Sequence, residues 1–491
     1  MRLHDLLDAT EVLEIVHGPS GDAATTDVSD VTHDSRATHP GALFCCIPGE
    51  FADGHDYAPA AVEAGAVALM VEHAVAPAVP QARVRSVRRS IGPVAARFHG
   101  DPSHALPVIG VTGTNGKTTT TFFLEAILAA HGFRPGVVGT LGVRFEGEVL
   151  PSPFTTPEAT ELQRTLAQLR ARGATAVAME VSSHALAEHR VDGTRFAVGC
   201  FTNLGRDHLD LHGSLDEYFA AKARLFTPAF TTRAAICVDD ARGRELAGRT
   251  RADGISVLTF ALDAAADVRL AVRTLDARGT TGRLTLPTGE TDVEVPIPGR
   301  FNAANALAAA ATAAHLGVDP PAIARGIAAV AAVPGRFERV PGNAPFDVVV
   351  DYAHTPDGIA TVLEAARALA AGKVIAVFGC GGDRDPDKRA AMGAAAGRGA
   401  DVVVLTSDNP RSEDPEAIAA MAVRGLDDVA AHYSVELDRR TAIRAAVTAA
   451  APGDLVMVLG KGAETGQQIG ATRVPFDDRV VAAEELESAW S

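Results

Sequence analysis

The sequence predicts an α/β protein of three domains. The chain has 491 residues, more than one hydrophobic core ordinarily serves. Short apolar runs alternate with alanine-rich helical segments along most of its length. Many of those runs end in loops of glycine, polar and charged residues, the pattern of parallel strands whose carboxyl ends carry the function.

In the first unit, residues 1–104, the run from Ala42 to Ile47 lies between Pro-Gly signals and predicts a buried strand. Residues 60–72 predict a helix, Gly65 and then a strand, and a second helix is expected to stop at Gly100 with Pro102 beyond it. In the second unit, residues 105–332, a strand, a Gly-rich turn and a helix follow Pro107. Further strands are expected before Ser182, Asn203 and Asp239. In the third unit, residues 333–491, the segments FDVVVDYAHTPD, KVIAVFGCGGDRD, ADVVVLTSDNPRSEDP and DLVMVLGKGAETG each read as a strand running into a polar loop, a Rossmann-like α/β pattern.

Composition narrows the class of function. A net charge of −16 argues against a general nucleic-acid or membrane-surface binder, because both of those partners are anionic. The start lacks a basic region followed by a clean apolar run, and no apolar stretch is long enough to span a membrane, so a cytoplasmic protein is expected. Five cysteines without a C-x-x-C pair read as reduced thiols. Only Lys117, Lys222, Lys373, Lys388 and Lys461 are lysine among 45 basic residues. In a chain that otherwise uses arginine, a lysine marks a position where a compact cation or a deprotonatable amine is useful.

The turn from Gly113 through Thr114, Asn115, Gly116, Lys117, Thr118 and Thr119 opens a helix directly after a strand. Its glycines let amides turn toward an anion, Lys117 can reach the β- and γ-phosphates, and the Thr118 hydroxyl can ligate magnesium. Val111 replaces the first glycine of the common Gly-x-x-x-x-Gly-Lys-Ser/Thr loop; the shorter Gly-Thr-Asn-Gly-Lys-Thr form is that of ATP-dependent amide ligases. The central domain is therefore expected to be P-loop ATPase-like. Glu180 and His208, each in a polar loop after a strand, are candidate magnesium ligands. The scattered histidines suggest zinc at first sight, but His208-x-x-x-His212 lacks the glutamate base of a zinc protease helix. Lys222 follows Tyr218 by four residues, on one helix face. By itself such a lysine reads as a surface residue with a buried stem.

The motifs GTNGKTTT, MEVSSHAL, FTNLGRDHLDLHG, YFAAKARLF, GRFNAANALAA, VPGRFE, VVVDYAHTPD, FGCGGDRD, DNPR and GKG occur in this order, after THDSR and PGALF in the first unit. Together they resemble the Mur ligase family, ATP-dependent enzymes that add amino acids to cell-wall precursors, over essentially the whole chain. The resemblance is strongest to members that join 2,6-diaminopimelate to a UDP-linked muramoyl-dipeptide. It implies a uridine-nucleotide-binding first domain, with Ser35 as a contact, and muramoyl-dipeptide contacts at Thr155, Thr156, Ser183 and Arg190. Asn302, Arg336, Asp351 and His354 are implied on the ATP side. Arg389, Asp408, Asn409, Arg411, Gly460 and Glu464 are implied around diaminopimelate. In that last set Arg411 would fork the distal carboxylate, and Glu464 would face the distal ammonium.

The resemblance also implies that Lys222 is carbamylated, becoming an anion that can join Thr118, Glu180 and His208 around magnesium; Lys117, Lys222 and His208 are then the catalytic set. A monomer is expected. Four departures bear on substrate choice: Ala463 replaces a histidine, Gly466 an aromatic residue, Glu50 and Phe51 other residues near the uridine, and Glu188 a glutamine. The two glutamates add negative charge beside an anionic substrate. Two competing readings are a related ligase joining a different amino acid or acceptor, such as folate (whose ligases lack the first unit) or another peptide, and a non-catalytic nucleotide-binding relative, which would have no need of Lys117, Glu180, His208 and Lys222.

Overall fold

The computed structural model describes residues 1–17, 22–49, 52–76, 79–429 and 431–490; Glu50 and Phe51 lie outside them. Among the described residues, three large sheets follow one another along the chain, each wrapped by helices, and a two-stranded sheet lies near the end.

The first sheet has five strands in the order Val12–Val16, Gln81–Val84, Ala68–Val71, Ala42–Cys45, Asp30–Thr32. All neighbours are parallel except the first pair. The expected strand at 42 is present, with Ala42, Leu43, Phe44 and Cys45 buried. The helix Val87–Phe98 covers one face, and Gly100 takes φ +73 after it. Pro102 opens a further short turn, Pro102–Ala105, where its missing amide and fixed φ suit a first helical position.

The central sheet has eleven strands. Val108–Thr112 runs buried at its middle, between Ala176–Glu180 and Phe196–Phe201, all parallel. Beyond Ser256–Ala261 and Val268–Asp276, the strands Gly279–Leu286 and Gly289–Val295 extend the sheet antiparallel, as do Gly142–Phe145 and Glu148–Leu150 at the other edge. Short turns join these strands, and a turn of a few residues can join only antiparallel neighbours. The helix Lys117–Ala130 packs on Arg300–Leu316 and Pro320–Ala328. Arg300–Leu316 is buried on most sides, and its run of alanines lets neighbouring backbones come close.

The third sheet has the order Glu338–Arg339, Asp347–Asp351, Leu455–Leu459, Val374–Phe378, Val402–Leu405, Tyr433–Val435, parallel after its first pair. Ile359, Met392 and Ile418 pack on one face, and Ile443, Val481 and Leu486 on the other. The loops after Asp351, Phe378, Leu405 and Leu459 therefore gather at one edge, as doubly wound sheets require. Arg439, fully buried, secures two of them: it grips Asp478 at 2.6 and 2.8 Å and donates to the carbonyls of Ser407 and Leu459. Among the described residues, no helix is long and apolar enough to cross a membrane.

Candidate active site

A cavity of about 390 Å³ opens where the carboxyl ends of the central and third sheets face each other. Its floor is the turn from Thr114 to Thr119. Gly116 sits at the N-cap of Lys117–Ala130 with φ +88. A Cβ there would lie 2.2 Å from Asn305 Oδ1, so glycine is demanded by both conformation and space. With no capping side chain, the first-turn amides stay open to an anion. The Asn203 carbonyl and side chain accept from the amides of Thr114 and Asn115, fixing the loop's shape.

Lys117 folds back onto the carbonyls of Gly113 and Thr114, each at 2.8 Å. Lys222, on the helix Leu215–Ala223 that Ser214 caps, reaches the same Gly113 carbonyl at 2.8 Å and lies 4.3 Å over the Tyr218 ring. Lys222 is buried. Burial first, and the Lys117 charge second, push its amine well below the ordinary lysine value, against Asp207.

Glu180, at the end of its strand, is buried among donors. Thr118 and Thr140 hydroxyls donate to it at 3.0 and 3.1 Å, and the Thr140 amide at 2.9 Å. Arg336 crosses from the linker before the third sheet and donates to Thr118 Oγ1 at 3.0 Å, stacked on Tyr352. His208 takes a left-handed conformation, and burial lowers its imidazole to about 3 despite Asp207. That shift favours the neutral ring, which can offer a lone pair. Among the described residues, no three or more His, Cys, Asp or Glu groups converge as a metal site. The donors facing the cavity are instead the Thr118 hydroxyl, the Glu180 carboxylate and His208. Mixed oxygen and imidazole donors with room for phosphate and water suit magnesium, which keeps part of its hydration and shares phosphate oxygens.

Two expected residues sit elsewhere. Asn302 is fully buried and donates to the Pro298 carbonyl, while Asn305, one turn on, lines the cavity. Arg389 is buried and bound at both ends of its guanidinium to Glu413, at 2.7 and 2.9 Å. It has no fork left for a substrate carboxylate. Arg384 flanks Gly381 together with Arg411, and only the GDRD motif pointed to it. Asp351 takes the amides of Phe337 and Ala353, both at 2.7 Å, and burial raises its carboxyl above the ordinary value. His354 lines the same cavity.

The remaining candidates are held by local contacts. Thr155 meets Thr140 at 3.1 Å; Thr156 donates to the Glu180 carbonyl; Ser183 meets His212 at 3.0 Å. Arg190 pairs with Glu158 at 2.9 Å. Glu188 does not stand free, because Arg88 of the first domain pairs with it at 2.8 Å and removes the expected repulsion. Ser35 is half-buried in a one-turn helix capped by Asp34. On the third domain, Asn409 and Lys461 hold the Glu464 carboxylate, both at 3.0 Å. Asp408 Oδ2 is buried without a partner among the described residues, against Gly460.

Three families match the chain: "Mur ligase family, catalytic domain" over residues 27–95, "Mur ligase middle domain" over 111–313 and "Mur ligase, glutamate ligase domain" over 335–462. The chain belongs to the Mur ligase family, and it is a ligase. Among its relatives it is similar to the UDP-N-acetylmuramoyl-L-alanyl-D-glutamate–2,6-diaminopimelate ligase of Geobacter metallireducens, 42% identical with all of this chain and 98% of that one covered. The protein of the same name from Alkalilimnicola ehrlichii is 46% identical, with 95% and 96% covered. A solved structure of that name superposes with a TM-score of 0.70 at 33% identity, covering 99% of both chains. MurF from Acinetobacter baumannii shares the fold, with a TM-score of 0.68 at 20% identity over 99% of this chain and 97% of that one.

Proposed function

We propose that this chain joins 2,6-diaminopimelate to UDP-N-acetylmuramoyl-L-alanyl-D-glutamate, using ATP and magnesium, as a cytoplasmic monomer in peptidoglycan precursor synthesis. The observation that carries the reading is the cleft itself. Lys117 and the open helix amides form one wall, and the loops bearing Asn409, Arg411 and Glu464 belong to the domain forming the other.

A carboxylate resists attack by an amine, so it is first phosphorylated by ATP. Lys117 and the helix amides stabilise charge on the transferred group. Thr118, Glu180 and His208 would hold magnesium, which supplies further neutralisation of phosphate charge. Thr155, Ser183 and Arg190 orient the dipeptide. Arg411 and Arg384 fork the distal carboxylate of diaminopimelate, Glu464 faces its distal ammonium, and the near amine attacks the acyl phosphate. The third domain, closed on the cleft, keeps water from the acyl phosphate. Burial pushes Lys222 toward its neutral form, the form that captures carbon dioxide: its nitrogen bonds the carbon, a proton leaves, and a carbamate anion results.

The test is a panel of amino acids offered with the UDP-linked dipeptide and ATP, with products read by mass. Diaminopimelate is expected to be joined in preference to all others. Preference for lysine would remove the assignment of the distal pocket.

A further inference from the structure

We infer that Arg473 is a further carboxylate-binding residue of the amino-acid site, an inference that rests on the diaminopimelate reading. A second cavity, of about 410 Å³, lies between residues 140–142 of the central domain and the third-domain residues Arg336, Tyr352, Glu464 and Arg473. Most of its charged groups are already engaged. Arg336 donates to Thr118 and stacks on Tyr352. Lys461 donates to Asn409, Glu464 and the Gly466 carbonyl. Arg473 also lines it, and among the described residues no hydrogen bond or ion pair engages its guanidinium.

The backbone under Arg473 is well fixed. The antiparallel hairpin Gly466–Ile469 and Thr472–Pro475 pairs Gln468 with Arg473. The hairpin is bound in turn to Arg411, whose amide donates to the Gln468 carbonyl at 3.0 Å and whose carbonyl accepts from the Gly470 amide at 2.7 Å. A Cβ on Gly466 would lie 2.4 Å from Arg473 Nε. Gly466 has no left-handed φ, so its backbone would accept a side chain. What excludes one is the Arg473 side chain lying across it. The missing side chain at 466 is thus the seat of this guanidinium.

The chemistry of the amino acid calls for a second cation. Diaminopimelate carries two carboxylates, and a fork at Arg411 serves one of them. Arg473 sits on the same hairpin unit but faces the cavity shared with Thr140 and Arg336, whose other contacts lead to the phosphate loop. That position suits the carboxylate next to the reacting amine. Holding this carboxylate orients the nucleophile and shields its charge from Glu464.

The experiment compares wild type, Arg473→Gln, Gly466→Ala and the double variant in steady-state kinetics, with melting temperatures to confirm folding. Arg473→Gln is expected to raise the KM for diaminopimelate about tenfold, with the KM for ATP and for the UDP-linked dipeptide within about twofold of wild type. Gly466→Ala, which must push the guanidinium aside, is expected to raise the same KM, and to add nothing once Arg473 is gone. An unchanged diaminopimelate KM in Arg473→Gln, a rise for the UDP-linked dipeptide instead, or effects of the two variants that multiply, would each overturn the inference. Wild type that fails to join diaminopimelate at all would remove the functional reading and this inference with it; active wild type with an unaffected variant removes the inference alone.

Discussion

Where the first domain meets the central one, backbone touches backbone. A Cβ on Gly92 would lie 2.0 Å from the Asp192 carbonyl oxygen, and one on Gly193 would lie 2.6 Å from the Gly92 carbonyl. Around that contact Arg164 pairs with Asp30 at 2.8 Å, and His33 meets Thr160 at 2.9 Å. Where the central domain meets the third, Arg336 reaches Thr118 at 3.0 Å, and other side chains face one another across longer gaps. Asp207 stands 3.8 Å from Lys388 and 4.0 Å from His354, and Asp357 accepts from the Arg206 amide at 3.3 Å. The first interface is packed like a core. The second is a polar cleft with both cavities in it. The difference teaches which joint is built to hold and which to open: close-packed contacts are lost all at once, whereas long ion pairs can lengthen at little cost.

Variants can break or sharpen this contrast. Lys117→Ala removes a cation from the cleft and is expected to lower kcat by about 1000-fold, while the melting temperature stays within a few degrees. Amine-dependent release of phosphate from ATP measures the first quantity, and calorimetry the second. Gly92→Ala should do the reverse. The added methyl meets backbone that has nowhere to go, so urea unfolding should show a loss of about 3 kcal/mol, with near-normal turnover in the folded fraction. If Gly92→Ala proves harmless, the first interface is not packed as described.

Asp207→Asn loosens the cleft alone, and about a tenfold rise in KM for ATP is expected without a change in melting temperature. The smallest effect concerns pH. Burial lowers the imidazoles of His184, His208, His212 and His354 at the cleft, and of His99 at the first interface. Each then binds a proton more readily when unfolded, near the ordinary value of about 6.5. The stability they contribute is present above that pH and lost as pH falls below it. Hydrogen exchange between pH 7.5 and 5.5, on protein without added metal, should show the cleft opening before the first interface.

Much of this was legible in the chain. The phosphate loop could be read because its glycines, Lys117 and Thr118 are consecutive, and local geometry decides what such residues do. The strand-and-loop rhythm gave the parallel sheets for the same reason. What escaped depends on which way a side chain points. Asn302 and Asn305 are one helical turn apart, and a hydrogen bond to the Pro298 carbonyl holds the first inward. Arg384 and Arg389 sit five residues apart, and Glu413, far along the chain, draws Arg389 into the protein. The antiparallel edge at 279–295 was missed because its strands are rich in threonine and charge, with alternating burial instead of an apolar run. Glu188 looked unfavourable because its partner, Arg88, comes from another domain.

Arg439 shows how far from the ligand a pocket can be decided. Its guanidinium joins the strand ends that lead to Asp408 and Gly460, and it fastens both to the first residue of the last helix through Asp478. Opening such a buried pair costs about 3–5 kcal/mol. The last described helix is therefore a clasp on the loops proposed to choose the amino acid, and on that proposal wear at residue 478 would be felt first as a blurred choice.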